Sequence, residues 1–136
     1  MKRDLKQFQG ISAGSDCHTE LEGEWTMLAG CVQNTLLAPS VSKHEKRVTR
    51  GNETTVYLGP RSLMRYKFTV DRTKKPARMD CVHTHGPHRG TLQRGIYELD
   101  GSMLKLCFAM PGQVRPSRFI AMPGDGRTLT VWTKLK

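Results

Sequence analysis

Short runs in which apolar and polar residues alternate are the feature that most limits the folds open to this chain. Between residues 24 and 134 such runs follow one another, and turn-forming residues separate them. Because successive side chains of a β-strand point to opposite faces, a period of two predicts strands and not long amphipathic helices. The predicted strands cover residues 24–32, 46–50, 54–58, 63–70, 79–84, 92–99, 103–109, 119–121 and 128–134.

Turn signals predict how these strands are connected. Gly51-Asn52 and Asp100-Gly101 favour tight hairpins, and sequential hairpins make consecutive strands antiparallel neighbours. About eight antiparallel strands lose their free edges when the sheet closes on itself. We therefore predict an all-β fold, an antiparallel up-and-down β-barrel of about eight strands, with a two-sheet sandwich as the alternative. Residues 33–40 are apolar and compatible with a helical turn.

The length of 136 residues fits one globular domain with a short appendage. Residues 1–20 are predicted to form this appendage, a short helix capped by Asp4 followed by a linker. Residues 21–136 form the predicted barrel domain. The N-terminus is charged and lacks the apolar core of a signal peptide, and no apolar run could span a bilayer, so a cytoplasmic protein is expected. The four cysteines, Cys17, Cys31, Cys81 and Cys107, are expected to be free thiols.

Two stretches of sequence resemble a known family. Residues 95–101 (GIYELDG) run on into residues 104–109 (LKLCFA), and residues 21–25 (LEGEW) and 73–76 (TKKP) accompany them. Together they resemble a family of small uncharacterised domains found in planctomycete bacteria, over about residues 21–134. The resemblance implies a lipocalin-like fold and implies almost nothing about chemistry.

Gly23 and Trp25 at the start of the first strand also resemble the opening signature of lipocalins. In lipocalin-like barrels, the tryptophan plugs the closed end and a basic residue near the end of the last strand lies against it. The resemblance therefore implies that Trp25 is buried at the base of the barrel. Lys134 is the matching basic residue by position.

The predicted barrel interior is rich in methionine and aromatic side chains. The period of two places Trp25, Met27, Ala29 and Cys31 on one face of the first strand. A barrel of about eight strands has room either for side chains alone or for one small ligand, and flexible methionines suit irregular apolar ligands. The candidate ligand-binding residues are Met27, Met64, Tyr66, Phe68, Tyr97 and Phe108. Ordinary core packing is the alternative interpretation.

A cluster of cysteine and histidine is a weak candidate for a metal site. Cys81, His83 and His85 alternate along one predicted strand, and His88 follows in the next loop. A thiolate and imidazoles can bind Zn²⁺, but this spacing matches no established zinc motif. We expect neither a metal nor another cofactor: Cys81 faces the core, and His83 and His85 lie at the hydrated rim.

The remaining motifs do not indicate an enzyme. The sequence has no nucleophile elbow and no phosphate-binding glycine loop, so we expect no enzymatic activity. The leading hypothesis is a non-enzymatic binding module that takes a small apolar ligand into the barrel. The alternative follows from the formal net charge of +10, which favours binding an acidic protein or nucleic acid through a basic outer surface.

Overall fold

The computed structural model describes residues 20–32, 35–122 and 124–135. The described residues form nine strands and one short helix, α1 (Pro39–Ser42). The strands are β1 (Gly23–Val32), β2 (Thr35–Leu36), β3 (Glu45–Arg50), β4 (Glu53–Leu58), β5 (Arg61–Asp71), β6 (Ala77–His85), β7 (Leu92–Asp100), β8 (Met103–Phe108) and β9 (Thr128–Lys134). No helix within these ranges is long and apolar enough to cross a membrane.

Strand β1 closes the sheet. Its partner on one side is β3, where Trp25 lies opposite Arg47, and its partner on the other side is β9, where Trp25 lies opposite Lys134. From β3 to β9 each strand pairs antiparallel with the next one in the chain. The predicted up-and-down barrel of eight strands is therefore confirmed, and β2 adds a short ninth strand beside the end of β1.

Two predicted segments differ from the structure. Residues 119–121 are irregular and not a strand, because β8 and β9 pair directly and leave no free edge for them. Within residues 33–40, Thr35 and Leu36 pair with β1, and the helical turn begins later, at Pro39. The short helix predicted within residues 1–20 lies outside the described residues.

An extra residue in β1 changes the predicted inward face of that strand. Met27 pairs with Trp132 and Ala29 with Val131, so Leu28 is an additional residue, a β-bulge. The predicted inward position of Ala29 is therefore wrong: Ala29 is exposed and Gly30 is buried instead. A Cβ on Gly30 would lie 2.8 Å from the Met27 sulfur. Met27 can therefore pack this closely against the β1 backbone only because residue 30 is a glycine.

The end of the barrel where β1 begins and β9 ends, here called the closed end, is filled by side chains. Trp25 is fully buried, and its Nε1 donates to the Leu21 carbonyl oxygen at 3.1 Å. Lys134 Nζ lies 5.5 Å from the centroid of the Trp25 ring, where the amine can interact with the ring face. The space left beside Leu21 is about 10 Å³, about enough for a single water.

Trp25→Ala is expected to lower the free energy of unfolding by about 3–5 kcal/mol, because it removes the largest fully buried side chain and leaves a cavity. Urea denaturation and the melting temperature measure this loss. Leu28→Ala is the matched control on the same strand, since Leu28 is 50% exposed and its loss should change stability by less than about 0.5 kcal/mol. A melting temperature of Trp25→Ala within a degree or two of the wild type would contradict the assignment of Trp25 as the plug.

Candidate functional site: a cavity at the open end of the barrel

A cavity of about 220 Å³ occupies the opposite half of the barrel, here called the open end. Most of its wall is apolar, and a few polar groups converge on it, which is the usual composition of a small-molecule site. The apolar lining consists of Met27, Val32, Val56, Leu63, Met64, Pro87, Leu106, Phe108 and Trp132. The polar lining consists of Glu45, Arg47, Tyr66, His88, Gln93, Thr128 and Thr130.

Four of the six predicted ligand-binding residues line this cavity: Met27, Met64, Tyr66 and Phe108. The other two do not. Phe68 is buried nearer the closed end, where it lines the small space beside Leu21. Tyr97 is 4% exposed and packs in the hydrophobic core.

The loop between β6 and β7 covers part of the open end. Gly86 has φ +108°, and a Cβ there would lie 2.6 Å from the Leu63 carbonyl oxygen, so glycine lets this loop lie directly on β5. The next residues, Pro87 and His88, reach the cavity wall. The loop is held by backbone hydrogen bonds, including one from Gly90 N to the His83 carbonyl oxygen at 2.9 Å. The cavity therefore has one wall formed by a well-anchored loop.

Arg47 forms the floor of the cavity. It is 4% exposed and also lines the small space at the closed end, so it separates the two halves of the barrel. Its Nη2 donates to the Tyr66 hydroxyl, and its guanidinium carbon lies 4.9 Å from the Trp132 ring centroid. Contact with an aromatic face partly compensates the loss of hydration of a guanidinium.

The described partners of Arg47 carry no negative charge. None of the ion pairs among residues 20–32, 35–122 and 124–135 includes Arg47. Burial raises the pKa of Tyr66 to about 12, against the opposing effect of Arg47, so the phenol stays neutral. A guanidinium does not lose its proton in proteins, so Arg47 is a buried cation beside an apolar cavity.

Glu45 lies on the same face of β3, two residues before Arg47, and lines the cavity closer to the open end. Partial burial raises the pKa of the Glu45 carboxyl, and the positive charge of Arg47 acts in the opposite direction. The two side chains form no ion pair, so the carboxylate and the guanidinium remain separate polar groups on the cavity wall.

His83 lies behind the cavity wall, which corrects its predicted place at the hydrated rim. The ring is 2% exposed, and its centroid lies 5.3 Å from that of Tyr66 and 5.4 Å from that of His88. Gln93 Nε2 donates to the Ala109 carbonyl oxygen at 2.9 Å, which leaves Gln93 Oε1 to accept from His83 Nε2 at 2.8 Å. His83 Nδ1 is then the unprotonated nitrogen, and it has no hydrogen-bond partner within the described ranges.

Of the four candidate metal ligands, His83 and His88 lie side by side, but His85 is turned away from them. Consecutive residues Arg65 and Tyr66 pair with His85 and His83, so Thr84 is an extra residue that turns His85 outward to solvent. The described residues contain no group of three or more His, Cys, Asp or Glu that could hold a metal ion. Cys81 is fully buried, and burial raises the pKa of its thiol, which therefore stays protonated. Cys31, Cys81 and Cys107 are free thiols, and Cys17 lies outside the described residues.

A second surface feature lies outside the barrel. An open groove of about 500 Å³ runs between the β5–β6 turn, the outer faces of β6 and β7, and the segment at residues 114–117. Among the residues that the structure describes, its lining contains no acidic side chain and five basic ones: Lys74, Lys75, Arg78, Arg94 and Arg115. Arg115 is already occupied, since its Nη2 contacts Asp80 Oδ1 at 2.7 Å and its Nη1 donates to the Gly95 carbonyl oxygen at 2.8 Å.

Sequence reasoning missed Arg47, Glu45 and Gln93 as parts of the site, and it singled out His83 only as a weak candidate metal ligand. The signal for Arg47 was present but weak: Arg47 and Thr49 alternate with Lys46 and Val48, and polarity does not distinguish the two faces. The opposite strand resolves the ambiguity, because Val56 pairs with Arg47 and its apolar side chain faces inward.

Comparisons of the chain with protein-family models, with curated proteins and with solved structures found no match.

The buried state of His83 predicts how stability depends on pH. Burial is the main cause that lowers the pKa of His83, so the unfolded chain takes up this proton at a higher pH than the folded protein. Stability is therefore expected to fall as the pH drops below about 6.5, by at most about 1.4 kcal/mol per pH unit, until the lower folded pKa is reached. Urea denaturation between pH 7 and pH 5 measures the slope.

His83→Gln should lose this part of the slope, whatever its stability at pH 7. His85→Gln is the matched control, because His85 is exposed on the same strand, and it should keep the slope of the wild type. The raised pKa of Glu45 makes its own contribution to the pH dependence of stability, which increases stability as the pH falls. Because Glu45 is present in every variant, this contribution cancels when their slopes are compared. Equal slopes in the wild type and in His83→Gln would show that the buried imidazole is not the source.

Proposed function

We propose that this protein is a non-enzymatic binding module that takes a small apolar ligand into the open-end cavity of a lipocalin-like barrel. The observation that carries the proposal is the cavity of about 220 Å³, which remains while the closed half of the same barrel is filled by Trp25 and its neighbours. A well-packed interior has few voids larger than a water molecule, so a cavity of this size is exceptional and offers room for a small ligand.

The size and lining of the cavity support a small occupant. An apolar cavity of ~150 Å³ can hold benzene, so a single ring with a short substituent fits here. Methionine side chains at Met27 and Met64 can adapt to the shape of a ligand, and Phe108 and Trp132 offer aromatic surfaces for contact.

Toluene is a suitable probe of this proposal. Added to the wild type, it is expected to shift the NMR signals of the Trp132 indole N–H and of the Met27 and Met64 methyl groups in a saturable manner. At a hundredfold excess over its dissociation constant it should stabilise the protein by about 2.7 kcal/mol.

A variant that fills the cavity provides the control. Met64→Trp places an indole in a lining position that is half-buried, and it should abolish the toluene response. Leu92→Trp adds the same ring on an exposed position of β7 outside the cavity and should leave the response intact. The proposal fails if the wild type shows no saturable response, or if Met64→Trp responds as the wild type does.

The basic groove on the outer surface supports a second candidate function, binding of an acidic protein or nucleic acid. Arg78 and Arg94 project from the outer faces of β6 and β7, and Lys74 and Lys75 lie exposed in the adjoining turn. A groove with cations alone attracts polyanions, and the affinity of such contacts falls steeply with salt because counterions are released.

Heparin affinity chromatography tests this second candidate. Reversing two groove charges, Lys75→Glu with Arg94→Glu, should lower the salt concentration at which the protein elutes. Reversing Lys43 and Arg61, which are exposed elsewhere on the surface, makes the same change in net charge and should have a smaller effect. Equal effects of the two double variants would indicate general charge attraction and not a groove.

A further inference from the structure

Arg47 indicates the chemical class of the ligand. We infer that the occupant of the open-end cavity is a small monocarboxylate with an apolar body, whose carboxylate pairs with the Arg47 guanidinium while the apolar body contacts the methionine and aromatic walls. This inference rests on the proposed binding function and adds the identity of the polar end of the ligand.

The first reason is an uncompensated charge. Arg47 is 4% exposed and always protonated, and burying an ion without a counterion is strongly unfavourable. Tyr66 and Trp132 are neutral. Glu45 is influenced by the charge of Arg47 but forms no ion pair with it, so among the described residues the guanidinium has no directly bound counterion. An anion bound in the cavity would supply the missing partner.

The second reason is the number of unused donors on Arg47, which lines the cavity. A guanidinium has five N–H donors, and Arg47 uses one of its nitrogens, Nη2, for the Tyr66 hydroxyl. No other side-chain hydrogen bond from Arg47 exists within the described ranges, and Arg47 lines the cavity. Guanidinium donors match the two oxygens of a carboxylate, which they bind through parallel hydrogen bonds.

The third reason concerns the number of charges. Arg47 is the permanent cation of the cavity lining, and one negative charge on the ligand would pair with it. A second negative charge would have no such partner, and the Glu45 carboxyl of the same lining would disfavour it. A phosphate monoester carries nearly two charges at neutral pH and fits less well than a monocarboxylate. The volume of about 220 Å³ suits an aromatic ring with a short carboxylate arm.

Phenylacetate and 2-phenylethanol are a matched pair of probes, since they share the ring and the length of the arm and differ in charge. Isothermal titration calorimetry at pH 7 should show that the wild type binds phenylacetate at least about tenfold more tightly. Arg47→Met should remove this preference, so that the two probes bind with similar affinity. Lys46→Met makes the same change in net charge on the opposite face of β3, where Lys46 pairs with Glu24 at 3.0 Å, and should keep the preference.

Glu45→Gln gives a second test that does not depend on the folding of Arg47→Met. Removing the competing carboxyl should raise the ratio of the affinity for phenylacetate to that for 2-phenylethanol severalfold. An unchanged ratio counts against the inference. Equal affinity of the wild type for both probes overturns the carboxylate assignment while the apolar binding function stands. Binding of neither probe overturns both. A preference that survives in Arg47→Met assigns the carboxylate to another group and overturns the inference.

Discussion

The pairing of β1 with both β3 and β9 is the constraint from which the other features follow. It gives every barrel strand two neighbours, so no long edge is left to pair with another chain. It also decides which side chains are enclosed, because in a closed barrel alternate residues must point inward whatever their polarity. Arg47, Thr49 and Thr54 are buried for this reason, and the hydroxyls of the two threonines satisfy each other at 2.7 Å.

The enclosed arginine divides the barrel into two halves with different packing. Toward the closed end, Trp25, Leu21 and Phe68 fill the space. Toward the open end a cavity remains, and Arg47 lines it. Tyr66 and Trp132 hold the guanidinium in place through neutral contacts, so its orientation is fixed before any ligand arrives. The proposed carboxylate would meet a cation whose place in the barrel is already set, which lowers the ordering cost of binding.

The architecture and part of the cavity wall could be predicted from the sequence, but the charged residues of the site could not. Period-two runs and hairpin signals such as Asp100-Gly101 are local, and closure follows from the number of antiparallel strands. Residues 119–121 show the limit of this reasoning: a β-like composition does not make a strand when no edge is free. Lys46 and Arg47 are neighbours of similar polarity, and the site requires that Arg47 faces inward. The pairing of β3 with its neighbouring strands determines this orientation.

Three β-bulges explain why some side chains face the opposite way from the prediction. Leu28 in β1, Leu63 in β5 and Thr84 in β6 are each one residue more than the partner strand has. An extra residue reverses the inward and outward positions beyond it, which is why Ala29 and His85 face outward. Leu63 and Thr84 lie near the open end, where bulges increase the local twist of the strands. Because none of the three is a glycine or a proline, the sequence does not mark them, although they shape the end of the barrel that contains the cavity.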